Sequence, residues 1–159
     1  MDTFSSSITY EHALAVIADQ AHAVEQELVP LAEAGRRVTA AEIGAELPDP
    51  GYDQSLRDGF VIAKSDRSGT GGSVSYQIKG EIPAGRCDVT SVRSGESFQI
   101  MTGGMVPIGA ERVVQQEDCL CTGTTVEVPD EVLKQQPRFI QRRGSFIPRE
   151  SIVVAKGRS

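Results

Sequence analysis

The chain has 159 residues and a formal net charge of −6. This acidic balance argues against a nucleic-acid partner, because binding a phosphate backbone requires a basic surface. No stretch reaches the roughly 18 apolar residues of a membrane-spanning helix, and the first residues lack the basic and apolar regions of a signal peptide. The odd number of cysteines, Cys87, Cys119 and Cys121, does not indicate a secreted disulfide framework. We therefore expect a cytoplasmic protein that binds neither nucleic acid nor a membrane.

The first 48 residues predict helices followed by extended sequence. Apolar residues recur at helical spacing over 9–22 and predict an amphipathic helix. Pro30 and Gly35 favour a short helix between them, with proline at its first position and glycine after its last. Residues 27–30 fit either a continuation of the first helix or a short strand, and residues 37–43 read as extended.

A Pro- and Gly-rich segment at 47–51 separates this part from a region of short strands that continues to about residue 136. Strand-like segments recur there about every ten residues with turn signals between them, which is typical of a barrel-like or sandwich-like β module. These segments are 59–64, 74–79, 97–101 and 112–117. A last strand is predicted over 151–157, and its position near residue 159 predicts that the chain is part of a longer protein.

These patterns predict an α+β fold with N-terminal helices, elongated strands and an inserted barrel-like β module. We expect residues 1–48 and 137–159 to form a discontinuous helix and strand module that mediates dimerisation. Residues 49–136 then form the inserted β module.

Two turns carry a candidate polar site. One contains Asp53, Ser55 and Asp58, and the other is Thr102-Gly103-Gly104 at the end of an apolar strand. A carboxylate can hold a metal or accept a proton, and a Thr-Gly-Gly turn can present N–H groups to an anion. Each turn alone is more often structural, because Asp and Gly tolerate left-handed geometry. If the fold brings the two turns together, they form half of a polar site.

Other candidate sites are weaker. Residues 69–72 lack the Gly-Lys-Ser/Thr ending of a phosphate loop and read as a linker. Cys119 and Cys121 share one face of an extended segment but are too few for a metal site. Arg142 and Arg143 are either a solvated charge pair or contacts for an anionic ligand. Because the sequence offers no Ser–His or Cys–His pair, nucleophilic catalysis is not expected.

Four segments together resemble a known family. Residues 52–61 are similar to the signature Phe-Asp-Asn-Ser-Ala-Met-Asp-Gly-Tyr-Ala, and residues 80–85 fit Gly-Glu-x-x-Ala-Gly. Residues 100–110 fit Ile-Met-Thr-Gly-Ala-x-x-Pro-x-Gly-Ala, and residues 29–38 resemble the opening of the same family. The family is that of the molybdopterin molybdenumtransferases (MoeA type), which are related to the gephyrin E domain.

The resemblance implies an enzyme of molybdenum cofactor biosynthesis that inserts molybdenum from molybdate into adenylylated molybdopterin and releases AMP. It implies a homodimer in which Asp58 and Thr102 are catalytic residues lining a cleft, with Asp58 able to hold Mg²⁺ through a water. The substrate-binding residues that it implies are Asp53, Ser55, Gly103, Gly104, Arg142 and Arg143. The resemblance further implies a large C-terminal α/β domain of the same protein beyond these residues, so the fragment alone is expected to be inactive.

The sequence departs from the family pattern at several positions. Gln54 stands for Asn, Leu56-Arg57 for Ala-Met, and Gln141 for the first Arg of the later Arg-Arg-x-Gly-Glu-Asp motif. The acidic pair of that motif is replaced by Ser145-Phe146. These departures keep open a divergent scaffold with a degenerate site. A molybdate-responsive binding domain is a further alternative, and it requires that this chain bind the oxyanion by itself.

Overall fold

A computed structural model describes residues 8–22, 24–63, 72–85 and 91–159. Residues 69–71 of the predicted linker 69–72, and Cys87, lie outside these residues. The chain forms two compact units, one of Met1–Ala41 with Lys156–Ser159 and one of Glu42–Ala155. The module boundaries expected from composition, 1–48 with 137–159 and 49–136, stay a prediction. In the described part of the chain, no helix has the length and apolar character needed to cross a bilayer.

The first unit contains the helix α1, Tyr10–Gln20, which lies within the predicted range 9–22. Thr9 caps this helix, because its side chain accepts a hydrogen bond from His12 N at 3.2 Å. A 3₁₀ helix at Leu31–Glu33 occupies the segment for which a short helix is predicted. Residues 27–30 form neither the helix nor the strand left open by the sequence.

The second unit is built mainly from strands. The strands are β1 Ile43–Gly44, β2 Gln54–Ser55, β3 Gly59–Ala63, β4 Ser73–Ile82, β5 Glu96–Ile100, β6 Ala110–Gln115, β7 Leu120–Thr122, β8 Thr125–Pro129, β9 Ile140–Gln141 and β10 Ile152–Val154. The largest sheet has six strands in the order β6-β3-β5-β4-β8-β7, in which β4 and β5 are parallel and the other neighbours antiparallel. Two further pairs, β1 with β10 and β2 with β9, are antiparallel.

This content of many strands and few helices agrees with the α+β expectation in its coarse form. The six-stranded sheet has β6 and β7 at its ends among the described residues, and barrel-like closure stays a prediction.

Three local predictions differ from the structure. Of the segment 37–43, predicted as extended, only Ile43 lies in a strand. The predicted strand 112–117 ends early, since residues Gln116–Asp118 form a 3₁₀ helix. A short helix α2, Asp130–Leu133, is absent from the sequence prediction.

The central strand β3 is buried along its whole length, because β5 and β6 flank it and both of its faces are covered. Phe60 and Ile62 pack into one apolar cluster, and Val61 packs into another with Ile100. Gly59 begins the strand so close to its neighbour that an added Cβ would overlap the carbonyl oxygen of Val114. Asp58, which precedes Gly59, is therefore attached to the start of a closely packed strand.

Candidate functional site

The structure brings Asp58 and Thr102 into direct contact. Asp58 immediately precedes β3 and Thr102 follows β5, and the antiparallel pairing of Gly59 with Ile100 places both residues at one edge of the sheet. Asp58 Oδ1 accepts hydrogen bonds from Thr102 N at 2.7 Å and from Thr102 Oγ1 at 2.8 Å. The two polar turns therefore converge, which is the condition under which the sequence analysis expects half of a polar site.

The contact favours the ionised form of Asp58. Hydrogen bonds from the Thr102 N–H and then from its hydroxyl lower the pKa of this exposed carboxyl. Both bonds end on Oδ1, while Oδ2 accepts none from the described residues. The result is an oriented carboxylate with one oxygen available to a ligand or a water.

The Thr102-Gly103-Gly104 turn uses its backbone donors internally. Thr102 N donates to Asp58, Gly103 N donates to Ser55 O at 2.8 Å, and Gly104 N donates to Met101 O at 2.8 Å. This differs from the expectation that the turn presents its amides to an anion, because each amide already has an acceptor within the site. A Cβ on Gly104 would lie 2.8 Å from Met101 O and from Ile82 O, so the tight packing of this turn against the end of β4 favours glycine there.

Ser55 shapes the loop that carries Asp58. Its side chain is buried, and Oγ donates to Arg57 O at 2.6 Å and accepts from Arg57 N at 3.2 Å. Its backbone N donates to Gly104 O at 2.9 Å. The backbone of Ser55 therefore connects the two turns, and its hydroxyl forms hydrogen bonds only within its own loop among the described residues.

A second carboxylate, Asp53, binds the loop that follows β9. Asp53 Oδ2 lies 2.6 Å from Arg142 Nη1, and Oδ1 accepts from Arg143 N at 2.8 Å. Partial burial raises the pKa of Asp53, but the hydrogen bonds from Arg143 N–H and Arg142 and the charge of Arg142 outweigh it, so the pKa is lowered. Beside this pair, Gln54 Nε2 donates to Gln141 Oε1 at 2.9 Å.

The turn that replaces the acidic pair of the family motif is fully formed. Ser145 N donates to Arg142 O at 3.0 Å, and Gly144 has the positive φ of 69° that a glycine adopts readily. Gly144 N also donates to Pro50 O at 2.9 Å, and Phe146 is exposed to solvent. The departure at Ser145-Phe146 therefore changes the chemistry of this turn and leaves its backbone hydrogen-bonded.

The described residues contain no cluster of metal ligands, and Mg²⁺ held by Asp58 through a water stays a prediction. Nowhere in 8–22, 24–63, 72–85 and 91–159 do three His, Cys, Asp or Glu side chains group so that they could hold a metal ion. Asp58 brings a single carboxylate to its contact, and the oxygen that faces Thr102 is already an acceptor. Cys119 is equally unsuited as a ligand, because burial and then the nearby Cys121, Asp118 and Glu117 raise the pKa of its thiol to about 11.

The structure also reveals a cationic group that the sequence did not indicate. The guanidinium carbon of Arg57 lies 5.6 Å from the ring centroid of Phe139, and that of Arg138 lies 5.3 Å from the same centroid. Arg57 lies one residue before Asp58. The sequence could have pointed to it, because an arginine stands there in place of the methionine of the family pattern. Phe139 carried no signal of its own.

Comparison with known proteins relates nearly the whole chain to one family. A family model described as the MoeA N-terminal region (domain I and II) matches residues 8–159. Molybdopterin molybdenumtransferase 2 of Mycobacterium tuberculosis is 30% identical over 147 residues, which cover 89% of this chain and 35% of that protein. The molybdopterin molybdenumtransferase of Synechococcus elongatus is 30% identical over 156 residues, covering 96% of this chain and 38% of that protein.

A solved structure agrees with these relatives. The crystal structure of the molybdopterin biosynthesis moeA protein from Pyrococcus horikoshii OT3 matches with a TM-score of 0.79 and 26% identity, over 95% of this chain and 40% of that one. The chain spans a little more than a third of the length of the curated relatives it matches.

Proposed function

Because this chain belongs to the family of MoeA N-terminal regions, we propose that it supplies the dimer scaffold and one wall of the active site of a molybdopterin molybdenumtransferase. The reaction in this proposal inserts molybdenum from molybdate into adenylylated molybdopterin and releases AMP. The observation that carries the proposal is the hydrogen-bonded contact between Asp58 and Thr102, since it joins two separate motifs of the family resemblance. Asp58 and Thr102 are its catalytic pair.

The proposal includes a cytoplasmic homodimer and a C-terminal α/β domain of the same protein. The Asp58 edge of the sheet would face the nucleotide-binding domain of the partner subunit. The relatives support the further domain alone, because about two thirds of their length lies outside the part that this chain matches.

The geometry suits Asp58 to orient a ligand rather than to abstract a proton. A general base works best when its pKa lies near the operating pH, whereas the hydrogen bonds from Thr102 lower the pKa of Asp58. The carboxylate stays ionised at neutral pH, and Thr102 fixes its direction through Oδ1. Oδ2 then accepts a hydrogen bond from a water or from an O–H or N–H group of the substrate. Direct contact with molybdate is disfavoured, because both groups are anionic.

Asp53, Ser55, Gly103, Gly104, Arg142 and Arg143 are proposed to support this site. Their predicted ligand-binding roles stay predictions. The observed hydrogen bonds favour two separate roles for these residues. Ser55, Gly103 and Gly104 hold the two turns together, and Asp53 and Arg142 connect the loop after β9 to the loop that carries Asp58.

The test is cofactor formation by the full-length transferase that this proposal requires, supplied with molybdate and adenylylated molybdopterin. Asp58→Ala is expected to lower the rate at least about tenfold, as the loss of one oriented polar group does in an active site. The circular dichroism spectrum should stay unchanged, and the Tm should fall only slightly, because the exposed side chain loses no contact other than its hydrogen bonds from Thr102. Glu127→Gln, at an exposed position of β8, is the matched control and should retain the wild-type rate.

A folded Asp58→Ala variant with the wild-type rate would contradict the catalytic role. If the wild-type protein forms no cofactor under conditions in which an M. tuberculosis relative does, the scaffold alternative with a degenerate site is favoured instead.

A further inference from the structure

We propose that Met101 is a substrate-contact residue of the site at Asp58, and that its side chain packs against the ring of an amino-substituted aromatic heterocycle. The inference deepens the proposed function and rests on it, since it assigns which part of the substrate reaches this edge of the sheet. Adenylylated molybdopterin contains two rings of this chemistry, adenine and the pterin, and binding experiments with each ring distinguish them.

The strand register places Met101 directly opposite Asp58. Gly59 pairs with Ile100 in the antiparallel strands β3 and β5, so Asp58 and Met101 are the next residue of each strand toward the same edge. Residues opposite each other in an antiparallel pair carry their side chains on the same face, with Cβ atoms about 5 Å apart. The side chain of Met101 therefore leaves the sheet beside the Asp58 carboxylate.

Hydrogen bonds on both sides show that strand geometry continues through Met101. Met101 N donates to Ile82 O at the end of β4, at 3.1 Å, while the next amide, Thr102 N, donates to Asp58 on the side of β3. Successive amides of a strand point to opposite neighbours in this way. Gly104 N donates to Met101 O at 2.8 Å, so the backbone of Met101 is held through both its N–H and its carbonyl.

Three of the segments that resemble the family meet at this residue. Met101 belongs to segment 100–110, and Asp58, which lies opposite it, belongs to segment 52–61. The carbonyl that accepts the Met101 amide belongs to segment 80–85. That third segment has no side chain in the Asp58–Thr102 contact, and it joins the candidate site through the backbone of Met101.

The side chain of Met101 is accessible although the strand that carries it is buried. Ile100, one residue before it, is fully buried, whereas Met101 is 37% exposed. Exposed apolar side chains that are scattered singly over a surface are common and need no explanation. Met101 differs from them because its backbone is fixed and the carboxylate opposite it is oriented by two hydrogen bonds. An apolar side chain fixed beside an oriented acceptor is a preorganised contact for a ligand.

The chemistry of the two groups specifies the ligand class. Oδ2 of Asp58 accepts a hydrogen bond from an N–H or O–H group, and the ionised carboxylate repels the phosphate and molybdate anions of the reaction. The polarisable thioether of Met101 makes favourable contacts with aromatic rings. An amino-substituted heterocycle offers both the N–H donor and the ring, whereas a phosphate offers neither and a sugar offers only the donor.

The test is methyl NMR of the full-length transferase, labelled at its methionines and titrated with adenylylated molybdopterin in the absence of molybdate. The Met101 signal is identified by its loss in Met101→Leu. We expect a saturable ring-current shift of this signal, and a smaller shift for Met105, which lies further along the same segment. Inorganic pyrophosphate, which has charge but no ring, should cause no such shift.

Kinetics supply a second measurement. Met101→Ala should raise the KM for adenylylated molybdopterin about two- to tenfold, as expected for the loss of one thioether contact with a ring, while kcat changes less. Leu120→Ala is the matched control and should retain the wild-type KM, because it removes an exposed apolar side chain elsewhere in the sheet. Leu120 lies opposite Glu127, which pairs with Ser75 in the first half of β4, away from the edge at Ile82.

AMP and pterin, titrated separately, distinguish the two rings. A shift of the Met101 signal with AMP assigns the adenine, and a shift with pterin assigns the pterin ring. The inference is overturned if saturating adenylylated molybdopterin leaves the Met101 signal in place. An equal rise of the KM in Leu120→Ala also overturns it, since the effect would then not be specific to this edge. The shift is measured on the wild type, so it does not depend on the stability of a variant.

The outcome separates this inference from the proposed function. If Asp58→Ala lowers cofactor formation while the substrate leaves the Met101 signal unchanged, the function stands and the contact is wrong. If the Met101 signal shifts with AMP or pterin while the wild type forms no cofactor, the contact stands and the proposed reaction is wrong.

Discussion

Asp58 and Asp53 lie on the same segment of the chain but use their carboxylates differently. Asp58 receives both of its hydrogen bonds on Oδ1, from one residue of a neighbouring turn. Asp53 uses both oxygens, one for Arg142 and one for the backbone of Arg143. The pKa of each carboxyl is lowered, so both are ionised at neutral pH.

The difference shows that an ionised carboxylate near a candidate site is not by itself a functional group. Asp53 is saturated by its own chain and connects two loops, whereas Asp58 keeps one oxygen available. A lowered pKa is common to both residues and does not distinguish them. The two residues differ in the number of carboxylate oxygens that already accept a hydrogen bond, which is one in Asp58 and two in Asp53.

The largest expected effect is on the free energy of unfolding, and it distinguishes Gly59, next to Asp58, from Gly51, two residues before Asp53. Gly59→Ala should destabilise the protein by at least about 3 kcal/mol, because the new methyl group would overlap the Val114 carbonyl in a fully packed sheet. Gly51→Ala should be nearly neutral, since a Cβ there has no atom within 4 Å. Urea denaturation of both variants measures the difference. Equal stability of the two variants would show that β3 and β6 can move apart to accommodate the methyl group, and that Asp58 is therefore not rigidly held.

The second prediction concerns the pair that saturates Asp53. Asp53→Asn and Arg142→Gln should each destabilise the protein by up to about 1 kcal/mol, and a double-mutant cycle should give a coupling of about 0.5 kcal/mol. The effect is small because the Arg142 side chain is 66% exposed and solvent screens its charge.

The neighbouring pair Arg149 and Glu150 is the control, since its groups are 3.9 Å apart and well exposed. Its coupling, measured in the same way by denaturation, should be close to zero. A coupling for Asp53 and Arg142 as weak as this control would remove the distinction between the two carboxylates.

The smallest effect is on the titration of Asp58. Thr102→Val removes the hydroxyl donor, so the pKa of Asp58 should rise toward its ordinary value, while Thr102→Ser should leave it lowered. NMR titration of the Asp58 carboxyl carbon measures this shift. An unchanged pKa in Thr102→Val would mean that the backbone N–H alone sets the ionisation.

The sign of the linked stability follows from the direction of the shift. The folded-state pKa of Asp58 lies below its unfolded value of about 3.9. The contact with Thr102 therefore stabilises the fold above that pH, and the contribution is lost as the pH falls through the folded-state pKa. Thr102→Val should reduce this acid-sensitive contribution, which denaturation curves at a series of acidic pH values would record.

Much of the site could be predicted because local signals and the family resemblance agreed. The apolar run after Gly59 indicated a buried strand, and the turns at Asp58 and Thr102 fell at strand ends. The helix α2 could not be predicted, because tertiary bonds from Arg112 to Val132 O and Gln135 O, each 3.1 Å, stabilise its last turn. The left-handed backbone of Phe139 likewise has no local cause in a residue type that avoids it.

The sequence also could not show that two of its departures from the family pattern are partners. Gln54 and Gln141 read as separate losses, yet β2 and β9 place them opposite each other and their amides bond. Gln54 and Gln141 are far apart along the chain, so their contact becomes visible only when the strand pairing is known.

That amide contact gives the loop after β9 two kinds of attachment. Acid protonates Asp53 and salt screens Arg142, but neither changes a bond between uncharged amides. At low pH or high ionic strength the ionic attachment at Arg142 weakens while the root of the loop stays fixed to β2. The backbone bonds from Gly144 N to Pro50 O and from Phe146 N to Asp49 O also persist, so acid and salt loosen the side chain of Arg142 while the turn keeps its position.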